Sequence, residues 1–251
     1  MTTAAEVLRG RFQTADALIP AASVTGVPLH VAAAFVDKES DGANIYGHDL
    51  GGTFSIAGTK AVTKTNYAEF YRLVVDQGRK SNGVGPMQIT YRGYFPQARD
   101  QGVRLWVPFD NYRFGFAIIK RNLDRFATDP DQLAKVGTLY NAGNLTGGIT
   151  AYGRDLAAKA ATWQTRLVGA TPPRTLQRGS RGDDVAAVQS GLMRRFPTYA
   201  GPIVTSGGAD GSFGPATESV VQEFQRRVGL NPDGVVAAWT YGRLSEYGIP
   251  A

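Results

Sequence analysis

The sequence predicts a mainly α-helical protein made of two units. Its 251 residues are 43% apolar and 19% charged, which is typical of globular proteins, and this length suits one or two domains. Several segments repeat apolar side chains at helical spacing, but the pattern stops near position 170, where Pro172 and Pro173 favour an extended connection. We therefore predict a first unit over residues 1–170, a linker over 171–174 and a second unit over 175–251.

The first unit is predicted to be mainly helical. Pro28 suits the first position of a helix and precedes an alanine-rich run over residues 29–40. Asn66 followed by Glu69 has the spacing of a capping box, so we expect a helix over residues 66–77. The same periodicity predicts three further helices, over residues 109–126, 131–141 and 148–167.

The second unit is predicted to be a small three-helix domain. Asp183 or Asp184 is expected to cap its first helix, in which apolar side chains recur at i, i+3, i+7 and i+11. The second helix is expected to begin after Gly214 and Pro215, and a short third helix is expected over residues 240–247. About 80 residues are enough for such a core.

Charge and composition narrow the classes of function. The net charge is +6, and 19 basic against 14 acidic residues before position 170 place +5 of it in the first unit. This excess favours an anionic partner such as nucleic acid, a lipid headgroup or an acidic cell-wall polymer. The chain has no cysteine and two histidines, so we expect no disulfide, no metal site and no cofactor. No apolar run approaches the roughly 18 residues of a membrane span, and residues 1–20 carry several charges, so we expect neither an anchor nor a secretory signal.

Glu39 is the first candidate for chemistry. It lies on the last turn of an otherwise apolar helix, and a glycine-containing turn follows it. The partial negative charge of a helix C-terminus and burial both raise the pKa of a glutamate, as a general acid that works near neutral pH requires. The alternative is an exposed carboxylate paired with Lys38 or another nearby base.

Three short motifs give this glutamate a context. They are Glu39-Ser40, Gly85-Pro86-Met87-Gln88 and Tyr140-Asn141-Ala142-Gly143. In this order they resemble the Glu-Ser, Gly-Leu-Met-Gln and Tyr-Asn-Ala-Gly signatures of the soluble lytic transglycosylases and goose-type lysozymes. The resemblance covers roughly residues 20 to 165. Pro86 stands where the family has leucine, which stiffens the turn.

The resemblance implies a lysozyme-like fold and a role for each matching residue. Glu39 would be the catalytic acid, and the phenol of Tyr140 would hydrogen-bond it. Met87 and Gln88 would form the cleft wall that meets the acetamido group of the sugar. Ser40 and Asn141 would complete the substrate contacts.

A second set of motifs follows the linker. Its segments are residues 176–185, Asp210-Gly211-Ser212-Phe213-Gly214, Phe224-Gln225 and Asp233-Gly234-Val235-Val236. Together they closely resemble the three-helix peptidoglycan-binding domain of cell-wall hydrolases. Asp-Gly pairs form tight turns, and the phenylalanines suit a core. Asp210, Trp239 and either Arg226 or Arg227 are the candidate wall contacts, and a solvated or core role stays open for each.

The type of reaction depends on a second carboxylate. Asp49 lies ten residues after Glu39, in a glycine-containing loop from which it could reach the cleft. A retaining hydrolase needs a carboxylate about 5 to 5.5 Å from the acid, an inverting one about 6.5 to 9.5 Å away, and a lytic transglycosylase needs none. We favour Asp49 over Asp37 and Asp41, although it could instead form a turn with its own backbone. His48 is expected to be a loop residue.

Together these features predict a muramidase that cuts the β-1,4 bond between N-acetylmuramic acid and N-acetylglucosamine in bacterial peptidoglycan. The chain resembles a phage endolysin, a monomer kept in the host cytoplasm until a separate pore-forming protein gives it access to the wall, with no membrane partner of its own. A virion-associated enzyme or a bacterial autolysin stays open as the source. The alternatives for the function are a lytic transglycosylase of the same fold, a non-catalytic wall-binding protein and a nucleic-acid binder. The sequence has no helix-turn-helix, zinc finger or aromatic RNA-binding motif, so we expect no nucleic acid as partner.

Overall fold

The computed structural model describes residues 2–49, 51–54, 60–171 and 173–250. The chain divides into two units, residues 1–170 and 171–251. In the described residues every regular element is a helix, and extended segments form isolated bridges such as that of Val84 with Ile89. The predicted mainly α-helical class is therefore confirmed.

The first unit contains eight α-helices within its described residues. They are α1 (Ala4–Arg9), α2 (Ala15–Thr25), α3 (Leu29–Glu39), α4 (Lys64–Tyr71), α5 (Tyr94–Asp100), α6 (Pro108–Arg125), α7 (Gln132–Ala142) and α8 (Ala151–Arg166). The sequence pattern missed α1 and α5, which are too short to establish a 3.6-residue period. It also missed α2, which is apolar on most of its surface and has Pro20 in its interior.

The start of α4 differs from the expected capping box. Thr63 caps this helix, because its hydroxyl accepts a hydrogen bond from the backbone N–H of Asn66 at 3.3 Å. The side chain of Asn66 returns the bond by accepting from the Thr63 N–H at 2.9 Å. The pairing of Asn66 with Glu69 was therefore wrong, and a π-helical turn at Arg72–Asp76 completes the segment.

Helices α3 and α6 form the buried centre of the first unit. In α3, every residue from position 31 to 36 is buried. In α6, the fully buried side chain of Asn111 accepts a hydrogen bond from the Met87 N–H at 2.9 Å and donates to the carbonyl of Val84 at 2.9 Å and of Leu105 at 3.1 Å. A buried amide with both ends satisfied fixes its partners in place. The segment between α4 and α5 is thereby held against α6.

Helices α7 and α8 approach each other at glycine. A Cβ atom placed on Gly153 of α8 would lie 2.1 Å from the carbonyl oxygen of Ala134 and 2.4 Å from Oγ1 of Thr138. Only a residue without a side chain fits this contact. The close approach sets the position of the first turn of α8, to which Tyr152 belongs.

The second unit contains α9 (Asp183–Arg195), α10 (Gly201–Thr205), α11 (Pro215–Arg227) and α12 (Ala238–Ser245). The three predicted helices are present, and the five-residue α10 adds to them. The expected aspartate cap was wrong: Gly182, at φ 138°, precedes α9, and Asp183 and Asp184 lie in its first turn. Asp184 instead binds the guanidinium of Arg174 at 2.7 and 2.9 Å.

A hydrogen-bonded arrangement occurs twice in the second unit. Gln189 of α9 donates to Asp210 (3.0 Å), to the Ser212 carbonyl (3.1 Å) and to Thr217 (2.9 Å), while its Oε1 accepts from the Gly211 N–H (3.0 Å). Gln225 of α11 makes the same four bonds to Asp233, Val235, Thr240 and Gly234, at 2.8, 3.0, 3.1 and 2.9 Å. In each copy seven positions separate the aspartate from the threonine, so the same arrangement of side chains occurs at two places in the unit.

Candidate functional site

A cleft of about 680 Å³ opens in the first unit at the C-terminal end of α3. Its walls come from the end of α3, the segment over residues 88–94, the C-terminal half of α6 and the end of α7. The lining residues are Glu39, Gln88, Ile89, Thr90, Tyr91, Tyr94, Ile118, Arg121, Asn122, Arg125, Leu139, Tyr140, Asn141, Ala142 and Gly143.

Glu39 lies in this cleft as the last residue of α3. Burial raises the pKa of Glu39 from 4.5 to about 7; a hydrogen bond from Tyr152 and the charge of Lys38 oppose this rise, and the charge of Asp49 adds to it. Lys38 does not pair with Glu39: its ammonium binds Asp155 at 2.5 Å and lies 4.4 Å from the centre of the Tyr152 ring. The carboxyl group therefore has the setting expected of a general acid.

The phenol that binds Glu39 is Tyr152 and not Tyr140. The hydroxyl of Tyr152, on the first turn of α8, donates to Oε1 of Glu39. The hydroxyl of Tyr140 donates to the carbonyl of Met87 at 2.5 Å, and its ring packs edge-on against Phe35 at 5.0 Å. The predicted role of Tyr140 was therefore wrong, although the residue does line the cleft. No sequence motif marked Tyr152, because its partner is 113 positions away.

The four predicted substrate contacts have different surroundings. The side chain of Met87 is fully buried, and a Cβ placed on Gly115 of α6 would lie 2.8 Å from its Cγ. Met87 is therefore a core residue in this structure, against the prediction that it meets the substrate. Ser40 caps the end of α3 and donates from its hydroxyl to the Pro86 carbonyl at 2.7 Å. Gln88 and Asn141 line the cleft, and Asn141 is exposed.

The side chain of Gln88 packs against the backbone of two glycines, where a larger residue would not fit. A Cβ on Gly47 would lie 2.0 Å from Oε1 of Gln88, and a Cβ on Gly83 would lie 2.3 Å from the same atom. The amide nitrogen of Gln88 donates to the carbonyls of Gly85 at 2.8 Å and Ile45 at 3.3 Å. The backbone of Gln88 has φ 47°, which is unusual for a residue other than glycine. This strained conformation at the cleft is fixed by its neighbours.

Asp49 is fastened beside the cleft without lining it. Its Oδ2 accepts a hydrogen bond from the Gly83 N–H at 2.6 Å, and its charge contributes to the raised pKa of Glu39. The two alternatives from the sequence, Asp37 and Asp41, are engaged elsewhere, because each binds the guanidinium of Arg11 at 2.6 Å. Among these aspartates, Asp49 is thus the one whose charge raises the pKa of Glu39. His48 is exposed on the same loop.

In the second unit, the three predicted wall contacts also differ. Asp210 accepts from Gln189 and from the Ser212 N–H at 2.8 Å, so its carboxylate belongs to the first of the two repeated arrangements. Arg226 binds Glu223 at 2.8 and 3.0 Å. The large apolar side chain of Trp239 is 43% exposed. Trp239 is therefore the one of the three with a large, partly exposed apolar side chain.

The described residues contain neither a metal-binding group nor a membrane-spanning helix. No group of three or more histidine, aspartate or glutamate side chains in these residues is placed to hold a metal ion. No helix among them is both long and apolar enough to cross a bilayer.

Comparisons with known proteins identify one of the two units. Residues 181–244 match the family described as "Putative peptidoglycan binding domain". The chain is also 40% identical to an uncharacterized protein in the bpoA1 3' region of Kitasatospora aureofaciens, over 111 residues that cover 43% of this chain and 84% of that protein. The chain belongs to the same family as that protein. No solved structure gives a significant match.

The peptidoglycan-binding domain accounts for most of the second unit. Both repeated glutamine arrangements lie inside it, as do Asp210, Arg226 and Trp239. Its presence supports an association of the chain with the bacterial cell wall. The cleft that contains Glu39 lies outside the matched residues.

Proposed function

We propose that the first unit cleaves the glycan strands of bacterial peptidoglycan between N-acetylmuramic acid and N-acetylglucosamine, with Glu39 as the general acid. The observation that carries the proposal is a glutamic acid of pKa about 7 at a cleft, in a chain that also has a peptidoglycan-binding domain. A lysozyme-like muramidase, as the sequence motifs imply, combines these two features.

The contacts of Glu39 suit proton donation to a glycosidic oxygen. With a pKa of about 7, a substantial fraction of the carboxyl groups keep their proton at neutral pH, and proton transfer is most efficient when the pKa lies near the working pH. Tyr152 donates to Oε1, which leaves Oε2 to carry the proton toward the sugar. Tyr152 is therefore a positioning residue for the acid.

We propose hydrolysis, with Asp49 on the opposite side of the scissile bond from Glu39. The hydrogen bond from Gly83 holds one oxygen of Asp49, and the other can orient a water molecule or stabilise the cation-like sugar. The second candidate is lytic transglycosylation, in which the C6 hydroxyl of muramic acid attacks and no second carboxylate is needed. It is favoured by the finding that Asp49 does not line the cleft.

Mass spectrometry of digested peptidoglycan tests this proposal. Glu39→Gln should fold normally and lose cleavage by about 10² to 10⁴, the size of a general-acid contribution. Hydrolysis leaves reducing ends that are about 18 mass units heavier than 1,6-anhydro ends, because they retain the elements of water. In that case Asp49→Asn should lower turnover at least about tenfold. Anhydro ends with a fully active Asp49→Asn would show transglycosylation, and full activity of Glu39→Gln would refute the catalytic proposal.

Trp239 is the proposed wall contact of the peptidoglycan-binding domain. Aromatic rings bury a large apolar surface at little loss of conformational entropy, which suits the faces of sugar rings. In the non-cleaving Glu39→Gln chain, Trp239→Ala should reduce co-sedimentation with purified cell walls. Val204→Ala is the matched control, since Val204 is 58% exposed in the same unit. Equal binding of the two variants would exclude Trp239 from the interface.

The lytic role remains a prediction. A wall-degrading enzyme of this kind suits an endolysin that is released from the host cytoplasm through a separate pore, and assays of lysis from inside and outside intact cells would test it. A monomeric state likewise stays a prediction.

A further inference from the structure

Two arginines of α6 line the same cleft as Glu39. Arg121 and Arg125 are four residues apart on this helix, so they lie on one face with a rise of about 6 Å between their Cα atoms. Both side chains are exposed. The wall of the cleft that α6 forms therefore carries two positive charges.

Neither arginine has an ion pair among the residues that the structure describes. The acid of the same turn, Asp124, binds Lys120 at 2.5 and 2.7 Å, and the next acid along the chain, Asp129, binds Lys135 at 2.5 Å. The guanidinium of Arg125 lies 5.1 Å from the centre of the Phe126 ring, which leaves its N–H groups available. Because the nearby acids are already paired with lysines, the two guanidinium groups can bind an external anion.

The two arginines do not contribute to the raised pKa of Glu39. The charged groups that shift the pKa of Glu39 are Lys38 and Asp49, and neither arginine of α6 is among them. The arginines therefore take no part in setting the proton affinity of the acid. They suit recognition of a substituent rather than chemistry.

We infer that Arg121 and Arg125 bind carboxylates of the muramic acid residues in the glycan strand. These carboxylates belong either to the peptide stem or to the free lactyl group. This inference rests on the proposed function, because it takes peptidoglycan as the occupant of the cleft. A guanidinium presents paired N–H groups that match a carboxylate, and two of them can engage two acid groups of one peptide stem or the free lactyl acid of a strand without stems. The cleft then prefers carboxylate-bearing strands to neutral polymers of N-acetylglucosamine.

Hydrogen exchange measured by mass spectrometry on the full chain tests this inference. The parent is Glu39→Gln, which does not turn over the ligand, and peptides covering residues 118–125 and 139–143 report the cleft separately from the peptidoglycan-binding domain. Three soluble ligands are titrated: glycan fragments with peptide stems, the same fragments with stems removed to leave the lactyl acid, and chitin oligosaccharides.

The test variant is Arg121→Gln with Arg125→Gln. Arg72→Gln with Arg79→Gln makes the same change in charge at exposed residues that do not line the cleft.

We expect the test variant to bind acidic fragments about tenfold more weakly, since each partly exposed charge-assisted contact contributes modestly. Chitin oligosaccharides should protect the cleft equally in the test variant, the control and the parent. Weakening confined to stem-bearing fragments assigns the anion to the peptide, and weakening confined to stem-free fragments assigns it to the lactyl acid. Equal binding of all three ligands by parent and test variant, or no protection of the cleft by any of them, would overturn the inference. If the wild-type chain cuts no glycan but the acidic fragments still bind through the arginines, the proposed reaction fails and the anion site stands.

Discussion

Replacing Glu39 with glutamine should stabilise the first unit as the pH rises toward 7 and above, while it removes most of the catalysis. The free energy of the folded state depends on pH wherever a group binds protons differently in the folded and unfolded chains. Glu39 is such a group, because burial raises its pKa from 4.5 to about 7. Between these two values the unfolded chain has released the proton and the folded chain still holds it, so the wild-type protein loses stability as the pH rises.

The size of this effect follows from the pKa. Each pH unit between 4.5 and about 7 lowers the free energy of unfolding by up to about 1.4 kcal/mol, which gives an upper limit of about 3 kcal/mol. Solvent at the mouth of the cleft screens the carboxylate, so we expect about 1 to 3 kcal/mol. Glutamine has nearly the same shape, can still accept the hydrogen bond from Tyr152 and has no charge to bury.

Denaturant unfolding followed by tryptophan fluorescence measures this difference. Of the three tryptophans, Trp106 and Trp163 belong to the first unit, so a Trp239→Phe background makes the signal specific to it. The stability of Glu39→Gln relative to wild type should be lowest at pH 4, rise between pH 4.5 and 7 and stay level above that. Glu69→Gln, at an exposed position of the same unit, is the control and should show no such rise. A difference that does not change with pH would refute a raised pKa for Glu39 and, with it, the main argument for its role as an acid.

Three further predictions concern residues that position the acid or stabilise the packing of each unit. Tyr152→Phe should raise the pKa of the general acid, because the hydrogen bond that it removes stabilises the charged form of Glu39. The alkaline limb of the pH–rate profile should then move to higher pH. Tyr140→Phe should leave that limb in place, since Tyr140 donates to another acceptor. Gly153→Ala should destabilise the first unit by about 2 kcal/mol in thermal unfolding, since the new Cβ meets a backbone carbonyl, whereas Gly147→Ala, with open space around it, should be nearly neutral. Gln189→Ala should destabilise the second unit by about 3 kcal/mol, and the same change in its counterpart on α11 should have a similar effect, because each leaves buried polar groups without partners.

The periodic helices could be predicted from the sequence, and the contacts between them could not. Helices α3, α6 and α7 begin and end within one residue of the predicted positions, because apolar side chains recur through each of them and Pro28 marks one start. The start of α4 was misplaced by two residues, since Thr63 and Asn66 have the same capping spacing as the pair that the prediction chose.

The candidate acid could be predicted as well, but its hydrogen-bond partner could not. Glu39 is marked by its position at the end of an apolar helix, which is a local feature of the chain. Tyr152 reaches it because α8 packs against α3 and, at Gly153, closely against α7, and no pattern within these helices reports that packing. Sequence motifs gave a plausible phenol, Tyr140, which occupies the same cleft and donates to a different acceptor.

The three motifs of the first unit are joined through main-chain carbonyls of a single turn. Ser40, next to the acid, donates to the carbonyl of Pro86, and Tyr140 donates to the carbonyl of Met87. The turn is closed by the Gln88 N–H, which donates to the Gly85 carbonyl at 3.0 Å, so Pro86 occupies its second position, where a fixed φ near −65° is favourable and no N–H is required. Any residue supplies a carbonyl, which explains why proline can replace the leucine of the family signature. The motif residues thus hold one another in register, and Glu39, the Gln88 segment, the end of α7 and the arginines of α6 line the cleft around them.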